Sequence, residues 1–148
     1  NDPTQVVLSG HKAAIDRAVA MVKDHGIKRG VLLPVSAPFH CPLMQPAADA
    51  MAQALGRTPP GALTVPVFAN VTASPVTDPA EVARLLVEQV TGRVRWRESV
   101  IAMQAAGVDS FIELGGKVLG PMIGRCVSDL NVTSVVGMAD IEALAKGL

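Results

Sequence analysis

Pro34-Val-Ser-Ala-Pro-Phe-His-Cys-Pro-Leu-Met44 holds the strongest chemical signal in this 148-residue chain. One histidine, His40, stands where a short apolar run gives way to a helical pattern, among prolines that fix the backbone. An imidazole there can accept and return a proton near neutral pH, because its ordinary pKa lies close to neutrality. The residue types alone leave catalysis and a structural histidine both open. Cys41 follows directly, but adjacent residues rarely point at each other, so a thiol–imidazole dyad is not expected. His11 at a helix start and His25 in a last helical turn, where a cation suits the dipole, read as surface or capping residues. No histidine is accompanied by a partner at metal-ligand spacing.

Gly115-Gly116-Lys117, between a strand and a helix, invites a phosphate-loop reading. The spacing fails: Phe111 stands where the first glycine belongs, and Val118 follows the lysine. A tight packing turn is the better account. Arg93, Arg95 and Arg97 alternate around Trp96, and Lys28-Arg29 forms a smaller basic pair. Each group is either a solvated edge or a docking surface for an acidic partner. None of the serines sits in a G-x-S-x-G turn, the strained elbow that exposes a nucleophile.

These residues need elements to hold them. Periodicity predicts strands over residues 5–8 and 31–33 around a helix over 11–25, a βαβ-like unit. Helices follow over 42–55, 78–90, 97–106, 117–127 and 139–146, with strands over 64–70, 110–114 and 132–136. Asp78 and Pro79 form a helix start, and Gly107 a stop. Alternating strands and helices indicate an α/β protein.

Lysine and arginine number 13, aspartate and glutamate 13, so the formal charge is zero. With four aromatics besides, neither a phosphate-binding face nor a base-stacking platform is expected, so no nucleic acid. Residues 30–48 and 58–77 lack Asp, Glu, Lys and Arg, yet each carries four prolines and is expected to line a cleft rather than cross a membrane. Asn1-Asp2-Pro3 has no signal-peptide character and reads as a chain cut in mid-protein. Two cysteines form no framework, so a reducing, cytoplasmic setting is the default.

Several stretches together resemble the malonyl-CoA:acyl carrier protein transacylase family of bacterial fatty acid synthesis, in its C-terminal half. They are Asn1-Asp-Pro-Thr-Gln-Val-Val-Leu-Ser-Gly-His-Lys12, Leu33-Pro-Val-Ser-Ala-Pro-Phe-His-Cys-Pro-Leu-Met44, Pro66-Val-Phe-Ala-Asn-Val-Thr72, Leu86-Val-Glu-Gln-Val-Thr-Gly-Arg-Val-Arg-Trp96 and Glu113-Leu-Gly-Gly-Lys-Val-Leu119. The resemblance implies an α/β hydrolase-like large subdomain with an inserted ferredoxin-like one. Residues 1–34 would be the last βαβ part of the insert and 35–148 the C-terminal part of the large subdomain. It implies a ping-pong acyl transfer, in which a serine takes malonyl from coenzyme A and yields it to the phosphopantetheine thiol of the carrier protein. No cofactor beyond these substrates is implied.

By the same resemblance His40 is the acid/base histidine, and Gln89 supplies a backbone carbonyl to its other nitrogen. Asn1 would lie near the pantetheine arm. Phe39 would crowd a branched α-carbon while tolerating malonyl, although a core role fits it equally. Lys28, Arg29, Arg93, Arg95 and Arg97 become candidates for carrier-protein docking. The chain departs from the pattern in two ways. Glu113-Leu-Gly-Gly-Lys lacks a residue that many relatives carry between the glycines. The serine elbow, the arginine for the malonyl carboxylate and the oxyanion-hole loop have no counterpart here. Alone, the chain is expected to be inert, with the N-terminal half of the same enzyme, or a second copy, covering its apolar faces. A polyketide synthase acyltransferase piece and a non-catalytic carrier-docking module are the alternatives.

Overall fold

The computed structural model describes residues 1–147. In chain order it contains α1 (Lys12–Met21), a 3₁₀ turn (Pro42–Met44), α2 (Gln45–Arg57), β1 (Val67–Ala69), β2 (Ser74–Val76), α3 (Pro79–Thr91), α4 (Trp96–Ala105), β3 (Ser110–Leu114), α5 (Leu119–Cys126), β4 (Asn131–Val135) and α6 (Met138–Ala145). The chain forms two compact units. One contains residues 1–6, 72–74 and 95–148, the other residues 7–71 and 75–94.

The first unit is built on β3, α5 and β4. The two strands pair in parallel, Ser110 opposite Asn131 through Leu114 opposite Val135. Parallel strands need a crossover, and α5 is the helix between them, so the expected α/β class is what the structure shows. Val100 of α4, Ile123 of α5 and Val135 of β4 are buried in this unit. In the second unit α2 packs on α3, with Ala48 and Leu85 buried.

Three helix starts are held by carboxylates. Asp78 accepts the Ala80 N–H at 2.9 Å, as its position before Pro79 predicts. Asp140 reaches back to the N–H groups of Val136 and Gly137 at 2.9 and 3.0 Å. The third was not foreseen. Glu113, on β3 and 8% exposed, accepts the N–H groups of Val118, Leu119 and Gly120 at 2.8, 2.8 and 3.0 Å. Gly115, at φ 85°, makes the sharp turn that brings α5 onto this carboxylate. The phosphate-loop question is thereby answered by geometry: the anion at this helix N-terminus is the chain's own. Asp2, also buried, accepts from Thr4 N–H and hydroxyl at 2.8 and 2.7 Å and pairs with both Arg125 Nε and Nη2 at 2.9 and 2.8 Å.

Residues 5–8 and 31–33, expected as strands, carry no ladder. A strand needs a neighbour to take its N–H and C=O groups, and among the described residues these segments make only the isolated bridge between Gln5 and Asp2. Their apolar side chains are exposed accordingly, Val6 at 81% and Leu32 at 57%. Helix α1 also stops at Met21, so His25 lies beyond it in the turns that end at Gly26. β2 was not expected, because a three-residue strand containing Pro75 gives almost no periodic signal. The β3–β4 sheet has two strands among the described residues, and Leu114 at its end is 77% exposed.

Hydrogen bonds, three of them from backbone N–H groups, hold the Glu113 carboxyl below its ordinary pKa. Arg125, and then Thr4, hold Asp2 well below the carboxylate range. The unfolded chain therefore binds more protons than the folded one once pH falls below the ordinary carboxylate values. Stability is full above those values and is lost as pH falls through the lowered, folded ones. Urea titrations from pH 7 downward are expected to show this loss, and Glu113→Gln is expected to be less stable at pH 7 with a flatter acid limb.

Candidate functional site

His40 lies in the second unit, between Pro38 and Pro42, where the chain enters the 3₁₀ turn leading to α2. Its backbone is left-handed, φ 58°. Residues with a Cβ pay about 1–2 kcal/mol there, histidine being among the better tolerated. The contacts around it offset that cost. The Cys41 thiol, 7% exposed, donates to the Pro38 carbonyl at 3.1 Å. The Met44 N–H donates to the Cys41 carbonyl at 3.0 Å, starting the 3₁₀ turn.

The imidazole is turned toward the end of α3. Its Nδ1 lies 3.1 Å from the Gln89 carbonyl oxygen and 3.1 Å from that of Gly92. Carbonyl oxygens only accept, so Nδ1 carries the hydrogen and donates to both. In the neutral ring Nε2 then holds the lone pair. Nε2 has no hydrogen-bond partner among the described residues, and His40 is exposed. This is the state a proton acceptor needs.

Helix α3 presents these carbonyls because its last turn has no further N–H groups to offer them. Gly92 caps it, with its N–H on the Glu88 carbonyl at 3.1 Å. A Cβ at Gly92 would lie 3.2 Å from that same carbonyl, so the turn is closed tightly. Asn70 holds the continuing chain, its Nδ2 donating to the Arg93 carbonyl at 2.9 Å.

Beside His40 runs a shallow groove of about 300 Å³, lined by Phe39, Met44, Met51, Gln89 and Val90 among others. Phe39 is 45% exposed and borders the histidine rather than filling a core. The structure thus brings together His40, Gln89 and Phe39. Asn1 lies in the other unit, where its amino group donates to the Gln5 carbonyl at 3.4 Å. Lys28 and Arg29 are exposed beyond α1, and Arg93 is exposed after Gly92. Arg95, half-buried, pairs with Glu98 at 2.9 Å, whereas Arg97 is exposed on α4. Among the described residues no group of three or more His, Cys, Asp or Glu could hold a metal.

Sequence reasoning missed the Gly92 carbonyl and the left-handed turn at His40. A glycine closing a helix pattern was the available sign of the first. Nothing in the residue types announced the second.

An acyl transferase domain family model matches residues 1–125. The chain belongs to this acyl transferase family. It is 43% identical over 144 residues to the malonyl CoA-acyl carrier protein transacylase of Salmonella typhimurium, covering 97% of this chain and 47% of that protein. The Bacillus subtilis protein of the same name is 37% identical over 149 residues, covering 100% of this chain and 47% of that one. Among solved structures, the acyl-carrier-protein-S-malonyltransferase of Bartonella henselae superposes with a TM-score of 0.86 at 46% identity, over 93% of this chain and 44% of that one. A malonyl-transacylase in complex with its type II polyketide acyl-carrier protein superposes at 0.87 with 34% identity, over 94% of this chain and 45% of that one. The chain therefore spans about half the length of the relatives it matches. Among the described residues of this acyl transferase chain, no helix is long and apolar enough to cross a membrane.

With histidine labelled in ¹⁵N, His40 is expected to show the Nδ1–H tautomer, unlike exposed His11 and His25. An Nε2–H signal for His40 would contradict the double-carbonyl arrangement.

Proposed function

We propose that this chain supplies the acid/base histidine for malonyl transfer from coenzyme A to the phosphopantetheine thiol of an acyl carrier protein. The observation that carries the proposal is the His40 ring, fixed at Nδ1 by two carbonyls with Nε2 left open. The serine nucleophile would come from a polypeptide corresponding to the half of the relatives that this chain does not span.

In that assembly the serine hydroxyl gives its proton to His40 Nε2 as its oxygen attacks the thioester carbonyl. The carbon–sulfur bond breaks, and the departing coenzyme A thiolate takes the proton from the imidazolium. In the second half-reaction the carrier's thiol gives its proton to Nε2 and its sulfur attacks the serine ester. The serine oxygen leaves and is reprotonated by the same nitrogen. The proton is returned in each half, so the transfer balances with no further cofactor. The carbonyls of Gln89 and Gly92 take the place of a triad carboxylate, holding the tautomer and steadying the transient charge.

Phe39, at the groove edge, would restrict branching at the acyl α-carbon, and Asn1 would approach the pantetheine arm. The exposed apolar residues of segments 5–8 and 31–33 are the surface such a complementing polypeptide would cover. We further place residues 1–34 in a ferredoxin-like subdomain and the remainder in a hydrolase-like one, and the activity in the cytoplasm. The relatives named as malonyl CoA-acyl carrier protein transacylases support this reading over a polyketide synthase piece, though one structural neighbour is in complex with a type II polyketide acyl-carrier protein.

The test is to assemble this chain with the complementary half of the Salmonella typhimurium relative and follow malonyl transfer. His40→Ala is expected to lower kcat/KM on the order of 10²–10⁴-fold. Near-normal transfer by that variant would sink the assignment. Carrier docking is tested separately. Reversing Lys28, Arg29, Arg93 and Arg97 to Glu is expected to weaken carrier binding and flatten its salt dependence, with Arg95 left to its Glu98 pair. Binding that survives His40→Ala in the isolated chain, with no transfer in the assembly, would favour a docking module instead.

A further inference from the structure

We propose that Cys41 is a positioning residue for His40: its buried thiol closes the left-handed turn that aims the imidazole at the end of α3. The functional consequence rests on the acid/base role proposed above, but the geometric claim does not.

The argument begins with missing donors. Pro38 and Pro42 flank the turn, and a proline nitrogen carries no hydrogen. The residue-42 nitrogen therefore cannot close onto the Pro38 carbonyl, as it would in an ordinary helical turn. The Cys41 thiol does so instead, at 3.1 Å, and the closed loop encloses Phe39 and His40. At Cys41 the backbone is extended, φ −146° and ψ 168°, between a left-handed residue and a 3₁₀ turn. Three different conformations thus succeed one another over three residues. With its thiol on Pro38 and its carbonyl taking the Met44 N–H, Cys41 is tied to both sides of that reversal.

Burial separates this role from nucleophilic chemistry. The thiol is engaged as a donor and 7% exposed, whereas the histidine it follows is exposed. A side chain there must be small and carry a donor, and serine meets both requirements. Alanine would leave the Pro38 carbonyl without the thiol and the left-handed turn without its clasp. The imidazole would then no longer be held to two carbonyls at once.

The test uses the full chain with ¹⁵N-labelled histidine, as wild type, Cys41→Ser and Cys41→Ala. Wild type and Cys41→Ser are expected to show His40 as Nδ1–H, and Cys41→Ala to shift toward Nε2–H. In the assembled enzyme Cys41→Ala is expected to lower kcat on the order of 100-fold with KM little changed, the effect of a displaced catalytic group. Cys41→Ser should stay close to wild type. A folded Cys41→Ala chain with the wild-type tautomer would overturn the proposal, and so would a folded Cys41→Ser chain that has lost it. If Cys41→Ala does not fold, the serine variant alone decides. The tautomer is read without any acyl transfer, so failure of the assembled enzyme to transfer malonyl would count against the functional reading and not against this one.

Discussion

A helix that ends must find donors for its last carbonyls, and the candidate site is built on that constraint. At the end of α3 the donor for Gln89 and Gly92 is an imidazole nitrogen. The same contact satisfies the helix, selects the tautomer and leaves the other nitrogen open. A carboxylate would do this with a full charge. Two carbonyls at the end of a helix do it with partial charges.

The opposite end of the problem appears in the other unit. There α5 offers N–H groups with no intrahelical acceptor, and Glu113 takes three of them. An isolated carboxylate would be costly to bury, and a helix start in need of acceptors would be costly to leave bare. Each resolves the other. Gly120 fits this arrangement closely, since a Cβ there would meet Val132 at 3.2 Å and the Glu113 carboxylate at 3.6 Å. The loop is therefore a structural joint between β3 and α5, with the carboxylate's charge already met by hydrogen bonds.

What the sequence disclosed follows from the range of each interaction. Helix α3 was legible because Asp78 and Pro79 announce its start locally, and β3 because a short apolar run precedes two glycines. His40, Gln89 and Phe39 were found by resemblance to a family, and the structure brings them together. Glu113 escaped notice because its partners lie five to seven residues on, around a turn whose path only the fold reveals. Segments 5–8 and 31–33 have the residue types of strands, but residue type does not supply a neighbour. Arg95 looked like one of three equivalent arginines until Glu98 set it apart.

The pairing of Asp2 with Arg125 has a further consequence, for time rather than energy. The two residues are 123 positions apart in one unit, and that unit is discontinuous, with residues 7–71 and 75–94 belonging to the other. During synthesis at about 5–20 residues per second, Asp2 waits roughly 6–25 s for its guanidinium to emerge. For that interval only the Thr4 groups among its partners are present on the nascent chain. The second unit, complete by residue 94, has all of its sequence available while the first is still waiting. The histidine turn and the helix end that receives it can thus come together before the parallel sheet of the other unit has both its strands.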